Sequence, residues 1–341
     1  MRIGIMTSGG DGPGLNAVIR GAVRHGIRTH GVEFAGIRDG WRGLLEDDIT
    51  PLTTFDVRGL SGRGGTILGT SRTHPYSDGG PDRMREVITT RGLDAVIAVG
   101  GEGTLAGAAR LADDEGLPVV GVPKTIDNDL DGTDYTFGFD TAAAIATESI
   151  DRLRTTAESH HRCMVIEVMG RHVGWIALHA GMAAGAHAVL IPEFPVSYEQ
   201  LFTWVRSARD RGRAPIVVVA EGFVPTDRDE AVSAKGEARD GRPRLGGIAD
   251  ELAPLIEEAT GIETRSTVLG HLQRGGSPTA YDRVLSTRLG MAAADLAVRG
   301  AWGRMASLDG TDIVDVRMAD AVVGLKRVPL DRWQEMQVLL G

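Results

Sequence analysis

Short apolar runs that stop at clusters of glycine recur along this 341-residue chain and constrain its fold most. The run at 3–7 ends in SGGDGPG, and the run at 95–99 ends in GGEGT. Apolar residues at helical spacing follow each glycine cluster. A buried strand, a tight turn and a helix, repeated in series, predict an α/β protein with mainly parallel sheets.

Length and charge limit the class of protein further. The chain exceeds what one hydrophobic core usually organises, so two domains are expected. A net charge of −9 argues against nucleic acid as the main partner. No apolar run approaches about 20 residues, so no membrane association is expected. The single Cys163 in the apolar run CMVIEVM, and a Met1 followed by a strand rather than a secretory signal, predict a cytoplasmic protein.

An acidic loop follows the apolar run Val119–Pro123. The segment reads VVGVPKTIDNDLDGTD, with Asp127, Asp129 and Asp131 at alternate positions. In open α/β sheets, ligands bind just outside the carboxyl ends of the strands. Carboxylates there can act as a general base or hold a metal. An Asx-turn cluster that only shapes the loop is the alternative.

Two glycine-rich segments near the N-terminus have the composition of anion-binding loops. SGGDGPG joins the first strand to a predicted helix at 15–27 and presents backbone N–H groups, although a plain tight turn explains it equally well. SGRGGTILGTSR adds Arg63 and Arg72, whose forked guanidinium groups suit phosphate. Solvated surface arginines are the alternative.

The turn GGEGT places a carboxylate inside a phosphate-type loop. Glu102 could reach a hydrated Mg²⁺, and Thr104 could cap the following helix. A βαβ crossover would bring this turn beside the acidic loop. We therefore expect Glu102 to lie near Asp127 and Asp129.

Further units of the same kind follow. The sequence predicts a helix at 140–160 and strands at 163–169, 187–192, 216–220 and 267–269. The polar segment 225–245 is predicted to be a surface excursion. The strand ends supply the polar side chains of Arg171, Glu221, His271 and Arg274.

Glycine loops, carboxylates and arginines together favour phosphoryl transfer. That reaction needs groups that neutralise phosphates, a carboxylate on the metal and an Asp that accepts the hydroxyl proton. Transfer from a nucleotide or polyphosphate to a small phosphorylated alcohol fits the number of arginines. Dehydrogenase chemistry fits less well, because no dinucleotide fingerprint with a ribose-binding acid is present.

Several motifs, in order, resemble the bacterial 6-phosphofructokinase family between residue 3 and about residue 290. They are TSGGDGPGLNAVIR, GGTILGTSR, GGEGT, PKTIDND, ESHHR, EVMGRHVGW, AEG and GHLQRGGSPTAYDR. The resemblance implies two Rossmann-like three-layer domains with the active site in the cleft between them. It places 1–138 and about 275–325 in a donor domain, 139–274 in a sugar-phosphate domain, and 326–341 in a C-terminal tail.

The resemblance also implies a role for each matching residue. Asp127 would deprotonate the 1-hydroxyl of fructose 6-phosphate, assisted by Thr125 and Arg171, and Glu102 would hold Mg²⁺. The residues implied at the donor site are Gly10, Arg72, Thr73, Glu102, Gly103, Thr104, Gly107 and Lys124. The residues implied at the sugar-phosphate site are Thr125, Asp127, Asp129, Arg162, Met169, Gly170, Arg171, Glu221, Arg265, His271 and Arg274.

Two positions mix features of ATP users and pyrophosphate users, as in an actinobacterial-like mixed subgroup. Gly103 resembles ATP users, whereas pyrophosphate users carry Asp there. Lys124 resembles pyrophosphate users, whereas many ATP users carry Gly there. Because a side chain at 103 would intrude on the α-phosphate of a nucleotide, and Lys124 can serve either donor as a point charge, we expect ATP.

Assembly and regulation follow from the resemblance alone. It implies a homotetramer in which Arg162 and Arg265 reach in from a neighbouring subunit. It also implies an allosteric anion site, for which the candidates are Arg20, Arg24, Arg154, Arg211 and Arg213. A NAD or lipid kinase and a non-catalytic sugar-phosphate sensor are the competing hypotheses. EVMGRHVGW and GHLQRGG argue against the former, and the intact Asp127 and Glu102 argue against the latter.

Overall fold

The computed structural model describes residues 1–228, 233–237 and 243–341. Residues 229–232 and 238–242 of the predicted surface excursion at 225–245 therefore lie outside the described residues. Its described part includes two short antiparallel strands, Ser233–Glu237 and Pro243–Leu245.

The described residues form strands, helices and short turns in alternation. The strands are β1 (Arg2–Ser8), β2 (Glu33–Ile37), β3 (Ile49–Leu52), β4 (Ala95–Gly100), β5 (Val119–Pro123), β6 (Cys163–Val168), β7 (Ala188–Leu190), β8 (Ile216–Ala220), β9 (Ser233–Glu237), β10 (Pro243–Leu245), β11 (Thr264–Val268), β12 (Arg304–Asp309) and β13 (Asp312–Arg317). The α-helices are α1 (Leu15–His25), α2 (Trp41–Glu46), α3 (Gly80–Thr90), α4 (Glu102–Asp113), α5 (Phe139–His160), α6 (Trp175–Ala184), α7 (Tyr198–Asp210), α8 (Ile248–Thr260), α9 (Ala280–Val298), α10 (Met318–Ala321) and α11 (Leu330–Gln337). None of these described helices combines the length and apolar character needed to cross a bilayer.

The chain divides into two compact units. Unit 1 comprises Met1–Thr141 and Arg274–Leu325, and unit 2 comprises Ala142–Gln273 and Lys326–Gly341. The segment 326–341, predicted as a separate tail, is therefore grouped with unit 2.

Unit 1 contains a seven-stranded sheet in the order β13-β12-β5-β4-β1-β2-β3. The five central strands pair in parallel, and the two edge strands β3 and β13 pair antiparallel. Every residue of β4 and β5 is buried. Uninterrupted apolar strands of this kind are typical of a parallel sheet that is covered on both faces.

Alternate residues of these strands point into two separate cores. Ile97 and Val99 lie in a core with α1 and α9, whereas Val96 and Ala98 lie in a core with α3 and α4. This alternation follows from the two-residue period of a strand. Unit 1 thus has three layers, as predicted.

Unit 2 contains a four-stranded, fully parallel sheet in the order β11-β6-β8-β7. Helices α7 and α8 pack on one face, where Val165 and Val217 lie among their apolar residues. Helix α6 packs against β7 and β8, where a Cβ on Gly181 would lie 2.4 Å from Val189. The predicted α/β class with mainly parallel sheets is confirmed.

Two predicted strand boundaries shift. β11 begins at Thr264 rather than at 267, because its residues Thr264, Arg265 and Ser266 pair in register with β6 through backbone groups that need no apolar side chain. β7 is shorter than the predicted strand at 187–192. Cys163 starts β6 as expected for a core position, and burial raises the pKa of its thiol to about 12.

The first turns of α5 and α9 cap each other in unit 1. Asp282 Oδ2 accepts hydrogen bonds from Thr141 N at 2.8 Å and Thr141 Oγ1 at 2.5 Å. Thr279 Oγ1 accepts from Asp282 N at 3.2 Å and donates to Asp140 at 2.5 Å. Each helix thereby satisfies N–H groups that its own first turn leaves without an intrahelical partner.

The buried carboxyl of Asp282 makes the stability of unit 1 depend on pH. Burial raises the pKa of Asp282 from 3.8 to about 6, so protonation stabilises the native state below pH 6 and the benefit is lost as pH rises through 6. Between about pH 7 and pH 5, we expect the free energy of unfolding of the wild type to rise by about 1 kcal/mol relative to Asp282→Asn. Urea unfolding of both proteins at the two pH values measures this, and an unchanged difference would contradict it.

Candidate functional site

The carboxyl ends of three neighbouring strands meet at one edge of the unit 1 sheet. β4 pairs with β1 through Gly100 and Ser8, and with β5 through Gly100 and Pro123. Lys124 N continues the ladder by donating to Gly100 O at 2.8 Å. The predicted βαβ crossover, with the GGEGT turn beside the acidic loop, is confirmed.

The second glycine loop, SGRGGTILGTSR at 61–72, lies against the first glycine loop, SGGDGPG at 8–14. Gly9 N donates to Ser71 O at 2.9 Å, and Thr70 Oγ1 donates to Gly9 O at 2.6 Å. Arg72, which is exposed, and Thr73 follow directly in the chain. Both predicted anion-contacting loops therefore lie at the same edge of the sheet.

Two cationic side chains pack on the first glycine loop. A Cβ on Gly10 would lie 3.3 Å from Arg274 Nη1, and a Cβ on Gly12 would lie 3.5 Å from Lys124 Cδ. Arg274 Nη1 also donates to Asp11 O at 3.1 Å. The glycines thus allow the backbone to approach both cations closely. Arg274, predicted to bind the sugar phosphate, lies beside the predicted donor loop within unit 1.

Lys124 is 4% exposed and sits among charged groups. Burial and, to a smaller extent, the nearby Arg274 lower the pKa of its ammonium, which comes to about 8. The carboxylates of Asp127, Asp129 and Asp11 act in the opposite direction by stabilising the charged form. This cluster brings together four predicted site residues. It also includes Asp11, to which the sequence assigned no role and which only the packing of the glycine loop reveals.

Hydrogen bonds within the acidic loop stabilise its turns and also hold the predicted site residues. Thr125 Oγ1 accepts from Asp127 N at 3.0 Å, and Thr136 Oγ1 donates to Thr125 O at 2.7 Å. Asn128 has a positive φ of 53° and accepts from Thr136 N at 3.0 Å. These bonds orient Thr125 and Asp127. Asp131 is exposed and caps only the following N–H, as an ordinary loop acid does.

The turn after β4 differs from the prediction in one respect. Helix α4 already begins at Glu102, with Gly101 as its N-cap, so Thr104 lies inside the helix and does not cap it. Thr104 instead packs against the first glycine loop, 3.3 Å from where a Cβ on Gly9 would lie. Glu102 is exposed at the helix start. Apart from its chain neighbours and the backbone of its own helix, a Cβ on Gly103 would meet no protein atom within 4 Å.

Gly107, predicted to line the donor site, is buried within α4. A Cβ at this position would lie 2.6 Å from Pro75 Cγ. Close packing of the helix on the loop that carries Pro75 is therefore sufficient reason for a glycine here.

An open pocket of about 570 Å³ lies in unit 1 where the second glycine loop meets the segment before α9. Its lining consists of Gly59, Gly62, Arg63, Gly64, Gly276 and Ser277. Asn16 Nδ2 donates to Arg63 O at 3.1 Å and so connects this lining to α1.

A second group of predicted residues lies at the carboxyl ends of β6 and β8 in unit 2. Glu221 N donates to Val168 O at 2.9 Å. Gly170 has a φ of 137°, and Gly222 N donates to its carbonyl at 3.1 Å. A Cβ on Gly222 would lie 1.9 Å from Arg171 O, so the two strand-end loops require glycine to pack together.

A buried glutamine joins the third strand end to this group. Gln273 is 0% exposed, and its Oε1 accepts from Met169 N at 3.3 Å. Its Nε2 donates to Gly270 O at 3.1 Å, which fixes the turn that carries the exposed His271. The motif GHLQRGG contains Gln273, but no role was assigned to it from the sequence, because an uncharged side chain outside an apolar pattern does not by itself indicate a positioning function.

Arg162 and Arg265 lie at the opposite end of the unit 2 sheet. Arg162 directly precedes β6, whereas Met169 directly follows it. Six strand residues separate them by about 20 Å. Both arginines pair with Glu263, at 2.9 Å and 2.5 Å. Within one chain, these arginines therefore do not join the group at the carboxyl ends.

Three of the predicted regulatory arginines surround His187 in unit 2. Burial, followed by the positive charges of Arg154, Arg211 and Arg213, lowers the pKa of this imidazole to about 4. Arg154 also donates to Gly185 O at 3.0 Å. The other two candidates, Arg20 and Arg24, lie on α1 in unit 1.

Comparisons with known proteins agree with the geometry. The family model described as phosphofructokinase matches residues 2–297. The pyrophosphate–fructose 6-phosphate 1-phosphotransferase of Amycolatopsis methanolica is 57% identical over the full length of both chains. ATP-dependent 6-phosphofructokinase 3 of Streptomyces coelicolor is 54% identical over the full length of both. Relatives that are named for different donors are thus almost equally similar to this chain.

A solved structure shows the same fold. Phosphofructokinase of Pichia pastoris in the T-state aligns with a TM-score of 0.84 and 33% identity, over 94% of this chain and 35% of that one. The motifs expected from the sequence, the strand-end clusters and the family match all agree. The chain belongs to the phosphofructokinase family.

Proposed function

We propose that the chain transfers a phosphoryl group from ATP to the 1-hydroxyl of fructose 6-phosphate, giving fructose 1,6-bisphosphate and ADP. The observation that carries this proposal is the cluster of Lys124, Asp127, Asp129 and Arg274 against the first glycine loop. A carboxylate beside a buried ammonium, a half-buried guanidinium and backbone N–H groups is what phosphoryl transfer to an alcohol requires.

Asp127 is the proposed general base. It lies four positions after the last residue of β5, and its backbone N–H donates to Thr125 Oγ1 at 3.0 Å. The carboxylate takes the proton of the attacking hydroxyl while Lys124 and Arg274 neutralise phosphate charge. Thr125 offers a hydroxyl on the same turn, and Asp129 adds a second carboxylate that helps to keep Lys124 charged.

Unit 2 supplies the proposed sugar-phosphate contacts. Arg171, Glu221 and His271 follow the neighbouring parallel strands β6, β8 and β11. Met169 and Gly170 connect the end of β6 to Arg171. An arginine fork suits a phosphate group, and a carboxylate suits sugar hydroxyls. Arg171 additionally stabilises the charge of the transferred group in this proposal.

Gly103 supports ATP as the donor. The space that a side chain would occupy at this position is open, so packing within the protein does not require a glycine. An open backbone at the start of α4 suits the additional phosphate of a nucleotide. The proposed donor contacts include Arg72, Thr73 and Thr104 on the adjoining loops.

Mg²⁺ fits the donor site through its ligand chemistry. Glu102 is exposed at the start of α4, and among the described residues it belongs to no group of three or more potential metal-ligating side chains. It could therefore provide a single carboxylate but not a complete set of protein ligands. Mg²⁺ is usually bound by one or two carboxylates, substrate phosphates and water. When bound, the ion would neutralise charge on the phosphates of the donor.

Pyrophosphate is the alternative donor. The relative from Amycolatopsis methanolica carries that donor in its name, and a buried Lys124 can neutralise the phosphates of either donor. A pyrophosphate-dependent enzyme would use the same acceptor and the same base.

Self-association is part of the proposal. Arg162 and Arg265 lie too far along the unit 2 sheet to join the sugar-phosphate group of their own chain. We propose that they complete the site of a neighbouring subunit in a homotetramer. Their pairing with Glu263 holds both guanidinium groups in place at that end of the sheet.

Asp127→Ala tests the base. We expect kcat to fall by about 10² to 10⁴, because a general base contributes about that factor. The matched control is Asp131→Ala, which removes an exposed acid from the same loop and should leave kcat within about threefold of the wild type. Formation of fructose 1,6-bisphosphate measures both. Equal turnover of the two variants would remove Asp127 from the base role.

Lys124 should impose an alkaline limit on the reaction. Because burial lowers the pKa of Lys124 to about 8, its ammonium loses the proton as pH rises through 8. We expect kcat/KM for the donor, which reports the free enzyme, to fall about tenfold per pH unit above that value. Lys124→Gln should lower kcat/KM and abolish its decrease above pH 8, which a pH profile of kcat/KM for both proteins measures.

The same assay, run with ATP and with pyrophosphate, tests the donor. We expect turnover with ATP to exceed turnover with pyrophosphate. Turnover with pyrophosphate alone would overturn the ATP assignment and leave the base and acceptor assignments intact.

Mixed oligomers test the shared site. Arg162→Ala chains and Asp127→Ala chains are each expected to be nearly inactive. After the two are unfolded and refolded together, about one quarter of the sites would combine an intact Asp127 with an intact Arg162 from the neighbour. Activity restored to roughly that fraction supports the proposal. No restoration, with oligomers verified by size-exclusion chromatography, would show that Arg162 acts within its own chain or not at all.

A further inference from the structure

Three ligand-type side chains converge in unit 1 at the end of α1. His25 Nε2 and His30 Nε2 each lie 2.7 Å from the same atom, Asp295 Oδ1. The two imidazole rings meet edge to face, with centroids 5.3 Å apart. Of the described residues, these three form the one group of His, Cys, Asp and Glu side chains with the spacing of a metal site.

A local change of helix type brings the two histidines together. In an α-helix, residues five positions apart point in directions about 140° apart and do not converge. Here α1 passes into a π-helical turn, Gly26–His30, which ends at Gly31 in the left-handed conformation. The wider turn places His25 and His30 over the same residue of α9. Such turns are rare and occur often at functional sites.

We propose that His25, His30 and Asp295 bind a divalent transition-metal ion, with zinc as the best fit. Two imidazoles and one carboxylate are typical ligands of such ions, whereas Mg²⁺ and Ca²⁺ prefer oxygen alone. Three protein ligands leave a fourth tetrahedral position for water. The other ring nitrogen of His25 lies 3.2 Å from Thr29 Oγ1, a contact of the kind that orients metal-binding histidines.

Small side-chain movements are enough to admit the ion. Ligand atoms about 2.0 Å from a tetrahedral metal lie about 3.3 Å apart, so each nitrogen–oxygen distance must open from 2.7 Å by about 0.6 Å. Asp295 is 44% exposed and His30 is 27% exposed, so both can adjust and the ion can enter. Arg28 lies in the same turn but is exposed, where solvent and salt screen its charge.

The site is separate from the proposed donor site. Helix α1 starts at Leu15 beside the first glycine loop and ends at His25, so its eleven residues span about 16 Å. The assignment uses no residue of the phosphoryl-transfer proposal. Zinc binding at these three residues can therefore be tested independently of the proposed donor and acceptor.

Metal binding is measured on the whole chain, freed of any affinity tag and dialysed against a chelator. Titration with Zn²⁺ in a calorimeter should give one site per chain. Co²⁺ in place of Zn²⁺ should give the visible absorption of a tetrahedral complex. We expect His30→Ala to weaken Zn²⁺ binding at least about tenfold, since it removes one of three ligands. His160→Ala, which removes an exposed histidine at the end of α5, is the matched control and should bind as the wild type does.

Asp295→Asn separates a metal site from a plain hydrogen-bonded cluster. The amide oxygen still accepts a hydrogen bond from histidine, so thermal stability without metal should stay close to that of the wild type, while Zn²⁺ binding should weaken. Zn²⁺ binding that is equal in the wild type, His30→Ala and Asp295→Asn would overturn the proposal, as would a wild type that does not bind. In both cases the three side chains would form a hydrogen-bonded cluster only.

Discussion

The buried ammonium of Lys124 is the group on which the arrangement of the unit 1 site depends. Taking a charge out of water is costly unless opposite charges and hydrogen-bond acceptors surround it. Here Asp11, Asp127 and Asp129 supply the opposite charge, and Arg274 adds a second cation. Three separate segments of the chain must therefore come together before the lysine can be buried.

Glycines make that convergence possible. The first glycine loop approaches Arg274 and Lys124 closely, and a Cβ on Gly10 would crowd the Arg274 guanidinium at 3.3 Å. In unit 2, Gly222 serves the same purpose by approaching the backbone at Arg171. Both clusters thus depend on backbone surfaces without side chains, which also suits the close approach of a phosphate group.

The identity of the phosphoryl donor is the part of the proposed function that the residues of the unit 1 site determine least. Gly103 leaves open space, which favours a nucleotide, and Lys124 offers a point charge that serves any phosphate chain. The difference between ATP and pyrophosphate lies in atoms remote from the transferred group. The proposed base, Asp127, and the cations around it would serve both donors.

The sequence by itself determined the fold class and most of the local site. Period-two and helical patterns are local, and glycine clusters mark strand ends, so the α/β class, the crossover from β4 to β5 and the acidic loop at Asp127 were predictable. Only the tertiary structure decided which distant residues meet. Arg274 lies beside Gly10 although 263 residues separate it from Asp11, whose carbonyl it contacts. The positioning role of Gln273 and the cluster around Asp295 were not predictable, because hydrogen bonds between remote segments leave no periodic pattern.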